Sequence, residues 1–197
     1  MKPYSESSAE NQEPILAVLR QTFAGVHQVL EIGSGTGQHA VHFARNLPHL
    51  NWQSSELAPN LPGIREWLDE AALSNTRPPL ALDVNSQPWD IESVDGVFTA
   101  NTLHIVSWPE VERLFQGVAQ VLLPGGVMCI YGPFNYDGAY TAPSNERFDD
   151  WLKARDPASG IRDAEAVCAL AAQHSMHLEA DHVMPVNNRI LVLRKQM

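Results

Sequence analysis

The sequence has little with which to grip a polyanion, cross a membrane or staple itself together. Its 13 lysines and arginines are outnumbered by 23 aspartates and glutamates, a net charge of −10 with histidine neutral, and no basic run stands out. Tracking nucleic-acid phosphates or an anionic lipid surface takes clustered cations, so both partners are disfavoured. No apolar stretch approaches the roughly 20 residues of a membrane-spanning helix. The polar opening segment 1–12 also lacks the charged-then-apolar pattern of a secretory signal. Only two cysteines occur, Cys129 and Cys168, in apolar stretches without CxxC spacing. They read as small buried hydrophobes in a reducing compartment, and the expected location is the cytoplasm. Twelve glycines and 14 prolines are too few for a fibrous or low-complexity chain. One globular domain over residues 1–197 is expected, with a small molecule as its partner. Nothing in the sequence speaks to oligomeric state.

What is present is an alternation of short apolar runs with amphipathic segments. Residues 14–23 carry Ile15, Leu16, Leu19 and Phe23 at helical spacing, predicting a lead-in helix that packs on the sheet or lids a site. Strands are predicted at 28–32, 50–55, 80–84, 94–100, 127–131, 178–183 and 190–193. Helices between them bury Ala40, Phe43, Ala44 and Leu47, then Ile64, Trp67, Leu68 and Ala71, then Val111, Leu114, Phe115, Val118 and Leu122, and finally a face of 164–174. Ser107 with Glu110 three residues on, and Pro109 in the first turn, marks one helix start. Pro124-Gly125-Gly126 marks its end. Such alternation predicts an α/β, doubly wound, Rossmann-like fold: a seven-stranded, mostly parallel sheet with an antiparallel last strand and helices on both faces.

Residues 134–160 break the alternation and are longer than an ordinary connection. The segment is either disordered or a cap, and Phe134, Tyr136, Tyr140, Phe148 and Trp151 favour an inserted cap. Ser144 is a candidate helix cap there, with Phe148, Trp151 and Leu152 buried behind it.

The strongest chemical signal is Glu31-Ile32-Gly33-Ser34-Gly35-Thr36-Gly37, an acidic strand end followed by glycines at alternate positions. Gly33, Gly35 and Gly37 suit a tight turn that a ligand approaches without meeting a Cβ, with Ser34 between them. A dinucleotide fingerprint would place its third glycine at position 38, where this chain has Gln38, which shifts the reading from NAD toward S-adenosyl-L-methionine. A plain strand-to-helix turn is the structural alternative. Glu56 follows the second strand, 21 positions after Gly35, where an acid can take both hydroxyls of a ribose. Asp83 and Val84 close the third strand, where a carboxylate and a backbone N–H suit an adenine edge. With Glu31, these are three acids at successive strand ends.

The fourth strand ends in Asn101-Thr102-Leu103-His104, beside the reactive end of such a ligand. His104 is the first candidate for a general base or orienting group, with a packed or capping histidine as the alternative. The tetrad lacks the Asn-Pro-Pro-Tyr pattern of enzymes that methylate nucleobase or amide nitrogen. His39 with His42 and His174 with His177 have ligand-like spacing but no third or fourth partner, so no metal is expected and solvated helix faces account for them.

Several longer motifs carry a resemblance: Leu30-Glu31-Ile32-Gly33-Ser34-Gly35-Thr36-Gly37-Gln38-His39, Leu82-Asp83-Val84, Leu103-His104-Ile105, Tyr131-Gly132-Pro133-Phe134, Gly160-Ile161-Arg162-Asp163 and Met184-Pro185-Val186-Asn187-Asn188. With Ser144-Asn145 and Phe148-Asp149, they resemble the DUF938 group, relatives of methyltransferase-like protein 26, from the lead-in helix to the last strand. Asn101-Thr102 departs from the Asn-Met expected there. The resemblance implies a class I methyltransferase fold with a donor site at Glu31, Gly33, Ser34, Gly35, Gly37, Glu56, Asp83, Val84 and Asn101, and no established acceptor. The acceptor pocket it implies gathers His104, Tyr131, Asn135, Tyr136 and Asn145, together with Ser144, Asn187 and Asn188, the last two having plain turn residues as their alternative reading. Arg162 joins it at the end of the cap, or else serves as a surface ion-pair partner. The expected activity is methyl transfer to a small oxygen or sulfur nucleophile. A catalytically silent module that binds S-adenosylmethionine or S-adenosylhomocysteine is the alternative, and a nicotinamide oxidoreductase a further one.

Overall fold

Along the central strands, neighbouring side chains enter opposite cores, and this two-residue period organises the molecule. The computed structural model describes residues 2–197; Met1, the first residue of the polar opening segment, lies outside them. The elements run α1 (Glu6–Thr22), β1 (Gln28–Ile32), α2 (Gln38–Asn46), β2 (Asn51–Glu56), α3 (Leu61–Ala71), β3 (Thr76–Ala81), β4 (Val94–Ala100), α4 (Trp108–Val121) and β5 (Leu122–Gly132). Then follow β6 (Phe134–Asn135), α5 (Pro143–Arg155), β7 (Arg162–Asp163), α6 (Ala164–Gln173), β8 (Met176–Met184) and β9 (Asn188–Lys195). In β5, Val127, Cys129 and Tyr131 join a core that includes residues of α1, α2 and α3. Met128 and Ile130 join a second core with residues of α4 and α6. Helices therefore cover both faces, as strand alternation requires when neither face is left to water.

The seven-stranded sheet has the order β3-β2-β1-β4-β5-β9-β8. Strands β1 to β5 pair in parallel, and β9 runs antiparallel between β5 and β8. The order reverses between β1 and β4, so the loops leaving these strands diverge and leave a crevice at their carboxyl ends.

The lead-in helix starts at Glu6, eight residues before the predicted start. Ser5 caps it, its hydroxyl accepting from the Ser8 N–H at 3.2 Å. Its first two turns were illegible as helix because they have no apolar stripe: their polar side chains face the crevices described below rather than the core. The third strand covers Thr76–Ala81 rather than 80–84. It tolerates Pro78 and Pro79 because it is an edge strand and its register against β2 shifts across them, so neither proline takes part in the ladder. The fifth strand already begins at Leu122, so Pro124-Gly125-Gly126 lies inside β5, beside a register shift against β4, instead of closing α4.

The segment 134–160 is ordered around α5, and β6 pairs in parallel with β7 at its two ends. Asp149 is buried and accepts from Tyr140 Oη at 2.6 Å, Lys153 Nζ at 2.5 Å and the Ile161 N–H at 2.6 Å, which ties the helix to both flanking loops. Ala142, not Ser144, is the N-cap of α5, and Trp151 is 50% exposed rather than buried; Asn145, Asp149 and Leu152 form the inward face. Cys129 is buried as expected, whereas Cys168 is only partly so. Among the described residues no helix is long and apolar enough to cross a membrane.

Candidate functional site

Two cavities of about 480 Å³ each open along the carboxyl edge of the sheet. Ser7, Asn101 and Ile105 line both, so the two meet at the end of β4. Each lies within the size range of small-molecule sites.

The glycine turn builds the first cavity. The N–H groups of Gly33 and Ser34 both donate to the Ser55 carbonyl, at 3.1 and 3.0 Å, binding the turn to the neighbouring strand. Gly33 has φ +72°, and a Cβ there would sit 2.6 Å from Thr102 Oγ1, so the loop after β4 closes over this backbone. Gly35 has φ +55°, and a Cβ there would meet only open space, which leaves its backbone bare toward the cavity. Its N–H donates to Glu56 Oε2 at 2.9 Å, while Glu56 Oε1 accepts from the Leu57 N–H at 2.8 Å. Asp83 is fixed by an Asx turn, Oδ1 accepting from the Asn85 N–H at 2.8 Å, and lines the cavity beside Val84. Gly33, Ser34, Gly35, Glu56, Asp83, Val84 and Asn101 thus share one crevice.

Two predicted members of this set lie elsewhere. Glu31 is buried under the turn, accepting from Ser34 Oγ and Trp52 Nε1, both at 2.9 Å. Burial pushes its carboxyl up to about 7, against the opposing pull of those two donors. It is a support for Ser34 rather than a wall of the crevice. Gly37, at φ +91°, precedes α2 and packs against Ile64, also away from the crevice.

Gln38, the residue that departs from the dinucleotide pattern, clasps the start of α1. Its Oε1 accepts from the Ser5 N–H at 2.5 Å and its Nε2 donates to the Ser5 carbonyl at 3.2 Å. His39 is not on a solvated face: it is buried, stacks on Phe43 at 5.2 Å between ring centroids, and pairs through Nε2 with Asn11 Oδ1 at 2.7 Å. Burial lowers its pKa to about 4. These contacts hold α1 across both cavities, and Ser7, Glu10, Asn11 and Pro14 become lining residues that helical periodicity alone missed. The signal available was Ser5 followed by Ser8, a capping pattern ahead of a polar run.

The second cavity is lined by His104 and Tyr131 from the sheet edge, Asn145, Phe148 and Trp151 from α5, and Asn188 from the turn into β9. His104 is buried, with its ring edge-on to Phe148 at 5.4 Å, and its carbonyl accepts from the Gly160 N–H at 2.9 Å. Burial, and then the nearby Arg162 guanidinium, depress it to about 4, so the imidazole is neutral at physiological pH. Burial also raises the Tyr131 phenol, against hydrogen bonds from Asn11 and Asn188. Asn145 Nδ2 donates to Thr141 Oγ1 at 2.9 Å and to the Asn187 carbonyl at 3.2 Å, joining α5 to the β8–β9 turn. Asn101, at φ +56°, donates its N–H to the Tyr131 carbonyl at 2.9 Å and stands where the cavities meet.

Four predicted members of this pocket lie outside it. Tyr136 donates to Asp181 Oδ2 at 2.7 Å, and Asp181 Oδ1 accepts from Arg189 Nε at 2.8 Å, so the phenol ties the segment 134–160 to the β8–β9 hairpin. Arg162 Nε donates to the Leu103 carbonyl at 3.0 Å, and its Nη2 donates to the carbonyls of Val106 and Ala158. The guanidinium is consumed in shaping the loop after β4 and is no surface ion-pair partner. Asn135 belongs to the short β6–β7 pairing, with a buried Oδ1 that meets no donor among the described residues. Asn187 also turns aside, donating to Ser144 Oγ at 3.1 Å. Among the described residues no three His, Cys, Asp or Glu side chains are grouped to share a metal ion.

The architecture is widely shared. An O-methyltransferase family protein from Burkholderia thailandensis superposes with a TM-score of 0.83 at 15% identity, over 94% of this chain and 56% of that one. Mitomycin 7-O-methyltransferase MmcR gives 0.83 at 19% identity, over 96% and 54%. The S-adenosylmethionine-dependent methyltransferase SibL, in its apo form, gives 0.82 at 22% identity, over 96% and 56%. The chain thus spans a little over half the length of these proteins, and at such identities the likeness establishes the fold. The family model described as "Protein of unknown function (DUF938)" matches residues 2–195, and with the crevice, the second cavity and the fold in place, the chain belongs to the DUF938 family.

Proposed function

We propose that the protein is an S-adenosyl-L-methionine-dependent methyltransferase acting on an oxygen or sulfur nucleophile of a small molecule, in the cytoplasm and as one domain with a cap over 134–160. The observation that carries this reading is the junction of two cavities at Asn101: a crevice with a bare glycine turn and three acids, opening into a chamber with a neutral histidine. The crevice fits the donor. Glu56 is oriented to take a ribose diol, Asp83 and Val84 face the position of an adenine edge, and the bare backbone at Gly35 leaves room for the chain between them. Among the described residues the charged side chains on its walls are all acids, Glu56, Asp83 and Glu110, which suits a ligand carrying a sulfonium and an ammonium.

When bound, the donor supplies an electrophilic methyl group whose bond to sulfur breaks with the electron pair remaining on sulfur. The protein's own work is alignment and exclusion of water: α1 roofs both cavities, α5 walls the second, and His104 stands ready to accept the nucleophile's proton. The named activities of the three structural neighbours, all methyltransferases, support the same reading. Calorimetric titration with S-adenosylhomocysteine tests it: the native chain should bind, and Gly35→Leu, which fills the crevice from a left-handed position, should abolish binding while circular dichroism stays unchanged. Unchanged affinity in that variant would remove the donor site. A silent binding module has no specific support, since a sensor needs no second chamber. Gln38, committed to Ser5, leaves the nicotinamide reading without its third glycine.

A further inference from the structure

Resting on the methyltransferase reading, we propose that the second cavity takes a planar phenol bearing no negative charge, uncharged or cationic, with its hydroxyl toward His104. The walls are the first argument. Tyr131, Phe148 and Trp151 present aromatic surface on one chamber, and Phe148 and Trp151 are stacked, with ring centroids 5.8 Å apart and planes 16° from parallel. The edge of His104 meets Phe148, so an aromatic surface runs from the chamber's mouth, where Trp151 is 50% exposed, to the junction with the donor crevice. A flat ring is the shape that gains most from such a surface, through stacked and edge-on contacts.

Charge is the second argument. Among the described residues no lysine or arginine lines either cavity: the Arg155 guanidinium lies over the Trp151 ring, 4.5 Å from its centroid, without lining the chamber, and that of Arg162, near His104, is spent on three backbone carbonyls. A carboxylate or phosphate would find no counter-ion on the chamber's lining and would pass Glu10, the one charged side chain there among the described residues. An ammonium group meets no such obstacle.

Proton affinity is the third. His104, held to about 4, is a weak base. A phenol gives up its proton near pKa about 10, whereas an aliphatic alcohol holds its proton roughly as tightly as water, near 15.7. In the transfer, the phenol oxygen forms the new bond to carbon, the S–CH3 bond breaks, and the phenolic proton passes to the imidazole and then to solvent. A phenolic oxygen therefore suits so weak an acceptor better than an aliphatic one does.

The test is equilibrium titration of the protein saturated with S-adenosylhomocysteine against a matched set: 4-hydroxyphenylethanol, tyramine, 4-hydroxyphenylacetate and 2-cyclohexylethanol. The neutral and cationic phenols should bind at least tenfold more tightly than the anion and the saturated alcohol. With S-adenosylmethionine in place of its product, those two phenols should yield the methyl ether. Trp151→Ala should weaken the phenols at least tenfold while S-adenosylhomocysteine affinity stays within twofold, and Glu10→Gln should weaken tyramine alone. Equal or tighter binding of the anion or the saturated alcohol overturns the proposal. So does a protein that holds S-adenosylhomocysteine yet binds no phenol. If the native chain fails to hold S-adenosylhomocysteine, the methyltransferase reading falls instead, and this inference with it.

Discussion

Glu56 Oε2 lies 2.9 Å from the backbone nitrogen of Gly35, so the acid at the end of β2 and the bare turn after β1 form a single wall. A carboxylate oriented this way before any ligand arrives loses little freedom when it accepts two further hydroxyl donors. Hydrogen bonds to a charged group contribute about 1.5–3 kcal/mol. Glu56→Ala should therefore weaken S-adenosylhomocysteine binding by about 10- to 100-fold in calorimetry. Because Glu56 lies at the sheet edge, the melting temperature should move little.

The buried Glu31 makes a prediction about pH. Its carboxyl titrates near 7 in the folded protein and near 4.5 when unfolded, so the folded state binds more protons across that window and this group's contribution to stability falls as pH rises from about 4.5 to about 7. His39 and His104 act in the opposite sense. Both are held to about 4 against an ordinary 6.5, so the unfolded chain binds more protons between those values, and their contribution is complete above 6.5 and lost as pH falls toward 4. The native protein should show a shallow net dependence in the shared window. Glu31→Gln keeps an acceptor for Trp52 and removes the opposing titration, so its stability should climb more steeply from pH 4.5 to 6.5. Urea unfolding at several pH values measures this, and parallel profiles for the two proteins would contradict it.

His104 lines the second cavity and not the crevice at the glycine turn. His104→Gln, which retains a polar side chain, should therefore lower kcat by about 100-fold or more while leaving S-adenosylhomocysteine affinity unchanged. A parallel loss of donor affinity would mean that the ring holds the junction rather than the proton.

Tyr136 stands apart from both cavities, and its hydroxyl is engaged by Asp181. Tyr136→Phe leaves Asp181 with Arg189 and should cost about 1 kcal/mol of stability, a drop of roughly 2–4 °C in Tm. Turnover at permissive temperature should be that of the native protein, which distinguishes a strut between cap and hairpin from a catalytic phenol.

The sequence by itself determined the central strands of the sheet. Residues 28–32 and 94–100 match β1 and β4, because both strands are buried on both faces and their apolar runs are bounded by unambiguous turns. It also determined one wall of the first cavity, since Gly33, Gly35, Glu56 and Asp83 all stand at or just beyond the ends of strands in one parallel sheet and must emerge at one edge. Tertiary structure decided which polar residues face a cavity and which face a backbone group. Glu31, Tyr136 and Arg162 have the same chemistry as catalytic residues, but each found a partner distant in sequence: Trp52, Asp181 and the carbonyl of Leu103. The roof of the site was hidden for a related reason. The first turns of α1 face polar cavities, so they carry no hydrophobic period, and a helix without that period becomes legible only when the surface it covers is known.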